Sequence, residues 1–400
     1  ERAIELQLLD YTGKKEEPLG DPVASLCAEQ AATPFDLQTG PLARAFILRV
    51  AEKKHVFVFY AHHIIFDGYS TDLLLRAIAS RYNDAEIKEL SSFTRFVNDV
   101  TRPAFVEKSR GEWAGAVAGL SNKSRRVLQL RGSSTSAPGA QSGQSGSTLL
   151  AEFDGEHDEA VMALAREAGV SPSAVYISIY GAMLSKAAEW EQVVVGIPSA
   201  GQALRGIETI GFCVSMWPIV IKVEEGWTVH QLLKNVQAQL NAASERPVIT
   251  MGELSRALGL GVDGNNRPII TAVLNISRYF NDLRFGDARA VPIENIRSSA
   301  HYDIFLGVRR GENTVDIDCD FRTDVLSKQD VERFIEAYFS MIKHFEASSQ
   351  DKVIDVLKAY DVERLAGKGR PEEDNQIPTA NVDESLGSRR QPGEQPLSGD

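Results

Sequence analysis

Hydrophobic and polar positions along this chain fall into short apolar runs and longer stretches of helical period. Leu42–Val50 reads as a strand, Lys53-Lys54 as a hairpin turn, and His55–His62 as the returning strand, with Val56–Tyr60 its β-branched and aromatic centre. A turn at Asp36–Pro41 precedes them. Asp21 or Pro22 opens a helix with Val23, Leu26 and Cys27 at helical spacing. After the hairpin, Ser70 or Thr71 is placed to cap a helix with Asp72 in its first turn and Leu74, Ile78 and Tyr82 on one face. Phe93–Leu120 reads as helical, with Phe96, Val97, Phe105, Trp113 and Val117 as its apolar side and Pro103 interrupting it. Trp113 reads as core packing.

Gly132–Ser147 holds no aliphatic residue larger than alanine and cannot bury apolar surface. It divides the chain. Past it come a strand from Thr148 through Phe153 and a helix over His157–Ala168, stopped by Gly169. Ser171-Pro172 then opens a long apolar helix reaching Trp190. Gln192–Ile197 is a central strand, Thr228 caps a helix through Ala243, and Arg267–Ile276 is a further strand. Ser327 and Asp330 form a capping box for a last helix to Phe345. Beyond about Arg370 the composition is that of a disordered tail. The expected organisation is a first lobe over 1–147, ending in the linker 132–147, a second lobe over 148–360, and a tail or interdomain linker over 361–400. No internal repeat is evident.

Composition narrows the function little. With 43 Lys and Arg against 55 Asp and Glu, the net charge of −12 argues against nucleic acid as a partner, though not against a local basic patch for an acidic protein. Cys27, Cys213 and Cys319 are far apart and odd in number. They read as small buried hydrophobes, without disulfide or metal spacing. No stretch is long enough to span a membrane, and no signal peptide is present, so a cytoplasmic, reducing setting is expected. The chain opens on Glu1 rather than methionine and reads as a fragment of something longer. A phosphate loop, a nucleophile elbow and a His-Glu-x-x-His helix are all missing.

The chemistry-bearing stretch is His62-His63-Ile-Ile-Phe-Asp67-Gly68, at the end of an apolar strand. Imidazole is the side chain that exchanges protons most readily near neutrality. In an alternating strand His62 and His63 would point to opposite faces, so one faces a cavity and the other supports the backbone. Four fixed residues at this spacing arise by chance in about one chain of this length in a thousand.

The stretch resembles the His-His-x-x-x-Asp-Gly motif of nonribosomal peptide synthetase condensation domains. The flanks agree: Pro34–Arg44 looks like the family's upstream segment, Ser70–Tyr82 like its downstream helix, and Val193–Pro198 like its Val-x-Gly-x-Pro strand. The likeness covers roughly Glu1 to Asp355. Epimerization domains usually carry tryptophan where Thr71 stands, and heterocyclization domains replace the histidines with aspartates; this chain does neither. The resemblance implies an α/β fold of two chloramphenicol-acetyltransferase-like lobes in a V, with the active site in a tunnel between them. It also implies that the opening strand and helices of the first lobe precede Glu1.

The implied reaction is amide formation between two carrier-bound substrates, the amine of an aminoacyl thioester attacking an acyl or peptidyl thioester. The partners implied are donor and acceptor carrier domains and a neighbouring adenylation domain. The domain itself would bind no cofactor; phosphopantetheine on the carriers would hold the substrates. His63 would be the catalytic base, or would orient the acceptor nucleophile. His62 and Asp67 would hold the loop, and Gly68 would give a tight turn or a close approach. The chain departs from the family twice. Gln202 stands where an arginine usually pairs with the motif aspartate, leaving Gln202 or Arg205 as candidate partners of Asp67. Ser215 and Met216 replace Asn-Thr in a segment where they are candidate tunnel-lining residues. Two other readings remain: a related acyltransferase making an ester or amide with a soluble acceptor, and a non-catalytic domain of this fold that docks carriers or partners.

Overall fold

The computed structural model describes residues 4–12, 21–117, 145–257, 270–278, 283–293, 297, 299–311 and 313–359. β1 (Leu6–Asp10) precedes α1 (Pro22–Ala32), which Asp21 caps by accepting from Val23 N at 2.9 Å. β2 (Ala43–Ala51) and β3 (Lys54–Ala61) make the expected hairpin, and β1 lies parallel to β2. In this three-stranded sheet, alternate residues Phe46, Leu48, Val56, Val58 and Tyr60 pack towards Leu26 and Val23 of α1. A 3₁₀ turn over His63–Ile65 leads into α2 (Gly68–Tyr82), then α3 (Phe93–Val100) and α4 (Pro103–Ala116). Pro103 is the first residue of α4, where its missing N–H costs nothing.

The second half builds β4 (Gly146–Asp154), α5 (Glu156–Ala168), α6 (Pro172–Ala187), β5 (Gln192–Ala200), the single turn α7 (Gly201–Leu204), β6 (Val214–Lys222), α8 (Val229–Glu245) and α9 (Met251–Ala257). It continues with β7 (Ala272–Arg278), the small hairpin β8 (Arg284–Phe285) and β9 (Ala288–Arg289), β10 (Ile304–Arg310), β11 (Thr314–Arg322), α10 (Lys328–Ala347) and α11 (Val353–Ala359). Six strands form a mixed sheet in the order β4-β11-β10-β7-β5-β6. One face of it carries Leu149, Ile317, Cys319, Leu306, Leu274 and Val195 into the main core. Helix α6 is buried on nearly every side, so its apolar positions run all round rather than along one stripe. Among the described residues β6 ends the sheet, and its outer side is occupied locally: Gln239 of α8 accepts from Val220 N at 2.9 Å and donates to Val220 O at 2.8 Å.

The α/β class expected from the sequence is the class of this fold. Several boundaries differ. The helix opened by Ser171 stops at Ala187, and β4 begins two residues before Thr148, inside the expected linker. The rest of that linker before Ser145, the start of the strand expected from Arg267, and the tail 361–400 lie outside the described residues. Helix α4 reaches from the first half into the core of the second. Its Trp113 is fully buried there, as expected of a core residue, and the indole Nε1 donates to Pro247 O at 2.7 Å. Ser109 Oγ donates to Val248 O at 3.0 Å, and Arg110 pairs with Glu253 of α9 at 2.5 Å.

Candidate active site

Strand β3 ends one residue before the histidine pair, so strand alternation does not orient the rings; hydrogen bonds do. The backbone N–H of His62 donates to Leu42 O at 2.9 Å, which holds the chain against the start of β2. His62 Nδ1 accepts from Ile64 N at 3.1 Å and thereby caps the 3₁₀ turn. Its ring stands edge-on to Phe35 at 6.1 Å, and Phe35 carries the Arg44 guanidinium on its face at 4.2 Å. Arg44 donates onward to Gln30 Oε1, Thr33 O and Pro34 O, so the Pro34–Arg44 segment braces His62.

His63 is exposed. Its Nδ1 lies 2.7 Å from Phe66 O. A carbonyl only accepts, so Nδ1 carries the proton, and in the neutral ring the lone pair sits on Nε2. The Phe212 ring meets the imidazole edge-on, with centroids 5.1 Å apart.

Asp67, not Ser70 or Thr71, is the N-cap of α2. Its carboxylate is buried. Oδ1 accepts from Ser70 N and Ser70 Oγ, each at 2.8 Å, and Oδ2 accepts from Cys213 N at 2.9 Å. Gln202 Nε2 approaches it at 3.2 Å. Ser70 Oγ also lies 3.0 Å from Gly211 O and accepts from Gly211 N at 3.0 Å. The start of α2 is thus fastened to residues 211–213, just ahead of β6. Burial raises the Cys213 thiol to about 12, and the neighbouring Asp67 carboxylate adds to the shift. Cys319 is raised as well, by burial in the core. Both thiols should therefore resist iodoacetamide at pH 8 and label only in denaturant, which peptide mass mapping would show.

Gly68 corrects the expectation of a tight turn. It is the first residue of α2 and has no left-handed backbone, and a Cβ there would meet nothing within 4 Å. Gly68→Ala should therefore raise stability by roughly 0.4–1 kcal/mol, read as a higher urea midpoint.

A family model described as Condensation domain matches residues 1–364. The chain belongs to the condensation-domain family. Among curated relatives, this condensation domain is 25% identical over 329 residues to tyrocidine synthase 3 of Brevibacillus parabrevis, which covers 81% of the chain but 5% of the synthase. It is 23% identical over 339 residues to surfactin synthase subunit 2 of Bacillus subtilis (strain 168), covering 83% of the chain and 9% of the subunit. The chain thus spans a small fraction of the curated relatives it matches. Among solved structures, a holo four-domain nonribosomal peptide synthetase bound to AMP and glycine superposes with a TM-score of 0.73 at 18% identity, covering 89% of this chain and 28% of that one. The condensation domain of the monacolin K polyketide synthase gives 0.71 at 15% identity, covering 87% and 81%. These likenesses confirm the fold.

Two departures of this condensation domain from its family now have positions. Gln202, fully buried, is the residue that reaches Asp67; Arg205 is not, and that candidate partner is corrected. Gly206, with φ of +64°, turns the chain just past α7. Arg205 pairs instead with Asp99 at 3.4 Å and lies 5.1 Å from the Phe105 ring. The Gln202 amide gives Asp67 a donor without a charge, and its own Oε1 has no partner among the described residues. Ser215 and Met216 are both buried. Ser215 Oγ accepts from Ile249 N at 3.2 Å and lies 3.3 Å from Ile249 O, and Met216 packs in the core. Phe212 and the Ser70–Gly211 link escape a sequence reading, because no local pattern tells which residues of a distant loop meet the motif.

Proposed function

We propose that this condensation domain forms an amide between two thioester-bound substrates. The observation that carries the reading is the His63 ring: its Nδ1–H is committed to Phe66 O, which leaves Nε2 as the basic nitrogen on an exposed imidazole. The acceptor amine attacks the donor thioester carbonyl. The new C–N bond forms, the C–S bond breaks, and the amine proton passes through Nε2 to the departing thiolate. A thioester is already activated, so holding amine and carbonyl together supplies much of the rest, up to about 7–11 kcal/mol of barrier. In this reading His62 and Asp67 hold the loop and do not touch substrate. Gln202 preserves the Asp67 geometry with a neutral donor, which supports the catalytic reading over simple docking.

The relatives are peptide synthases, which supports carrier domains as partners. Phosphopantetheine arms would bring donor and acceptor from opposite ends of a tunnel between the two sheets, and an adenylation domain would load the acceptor. The test is direct. The longest natural protein containing this chain is given carrier-bound acyl and aminoacyl thioesters, and intact mass is followed. A carrier-bound amide is the expected product; its absence across several acyl donors and amine or alcohol acceptors would overturn the reading.

A further inference from the structure

His63 is fixed at one ring nitrogen by Phe66 O, a bond about which the imidazole could still swing. The second restraint comes from the other half of the chain. Phe212 places its ring across the imidazole at 86° to it. Phe212 is 39% exposed, so burial of its own surface does not explain its position.

Its neighbours do. Gly211 N donates to Ser70 Oγ, whose own proton goes to Asp67 Oδ1, and Cys213 N donates to Asp67 Oδ2. Residue 212 therefore sits between two anchored peptides, and both anchors belong to the first turn of α2. Gly211 is also closed to change, because a Cβ there would overlap the Phe93 ring. The buried Asp67–Ser70 pair thus has a task beyond capping a helix: it delivers an aromatic ring from the second half of the chain against the histidine of the first.

We propose that Phe212 is a positioning residue for this reaction, held against His63 by the Asp67–Ser70 anchor and fixing the imidazole so that Nε2 faces substrate. This rests on the reading of His63 given above. An aromatic edge at this distance favours one orientation of the imidazole over the others. Small misplacements of a catalytic group can cost about 10²-fold in rate.

The test compares wild type, His63→Ala, Phe212→Ala, Phe212→Leu and Phe212→Tyr in the longest natural protein that contains the chain. Three quantities are read: kcat, KM for the acceptor thioester, and the His63 tautomer by ¹⁵N NMR of labelled histidine. Phe212→Ala and Phe212→Leu should lower kcat by about 10²-fold with KM little changed. They should also let the Nε2–H tautomer of His63 grow. Phe212→Tyr keeps the ring and should match wild type. The leucine variant stands in where the alanine variant does not fold.

If His63→Ala is inactive while both Phe212 truncations keep wild-type kcat and tautomer, the positioning role is overturned and the base survives. If His63→Ala is fully active, the base reading falls. The positioning role of Phe212 in this reaction, which rests on that base, then falls with it.

Discussion

Replacing His63 with alanine should reduce carrier-bound product by about 10²–10⁴-fold, the usual contribution of a placed acid–base group. The ring is exposed, and what the fold loses is its contact with Phe212 and one hydrogen bond to Phe66 O. Stability should fall by no more than about 1.5 kcal/mol, so lost product cannot be blamed on unfolding. Intact mass gives the first number and urea denaturation the second. His62→Ala is the informative companion. It removes the acceptor for Ile64 N and the edge contact with Phe35, so it should disturb the loop more than the chemistry. Equal product from wild type and His63→Ala would mean that juxtaposition of the two thioesters does the work without a base.

Asp67→Ala should be the most destabilising change in the site, at roughly 3–7 kcal/mol. The substitution leaves Cys213 N and Gln202 Nε2 as buried donors without an acceptor and removes the cap of α2. Each orphaned donor costs about 1–3 kcal/mol and the lost cap about 1 kcal/mol. Asp67→Asn should fall between. It keeps one carbonyl oxygen, but it turns an NH₂ towards either the Cys213 N–H or the Ser70 N–H, donor against donor. Urea midpoints with constant m would check the order wild type, asparagine, alanine. An alanine variant as stable as wild type would show that solvent reaches these groups and that the anchor is weak.

Much of this fold was legible because local signals agreed with tertiary ones. Ser171, Thr228 and Ser327 all cap the helices they were expected to cap. The two caps on the last pair are complete capping boxes. Other elements were not anticipated. The hairpin β8–β9 is too short to show a period; it is held from outside, by Asn83 at the end of α2 and by the Tyr82–Phe285 contact. Strand β11 went unread although Val315, Ile317, Cys319 and Phe321 alternate with aspartates along it.

In the site, the motif residues were legible because their spacing is local. Their partners were not. The choice between Gln202 and Arg205 for Asp67, like the Phe212 contact, depends on how two halves of the chain meet. Ser70 and Thr71 looked like caps by residue type. The true cap lay inside the motif, because Asp67 satisfies the Ser70 N–H and accepts a bond from Cys213 at once.

The Gln239 amide on the edge of β6 also bears on how this protein behaves in company. An open sheet ends in strands whose free N–H and C=O groups can recruit any extended chain, the first step of strand-by-strand self-association. At Val220 both groups are already taken by a side chain imitating one unit of a neighbouring strand. An arriving peptide would have to evict that amide before it could propagate along β6, so among the described residues this border is guarded by a single side chain of a helix.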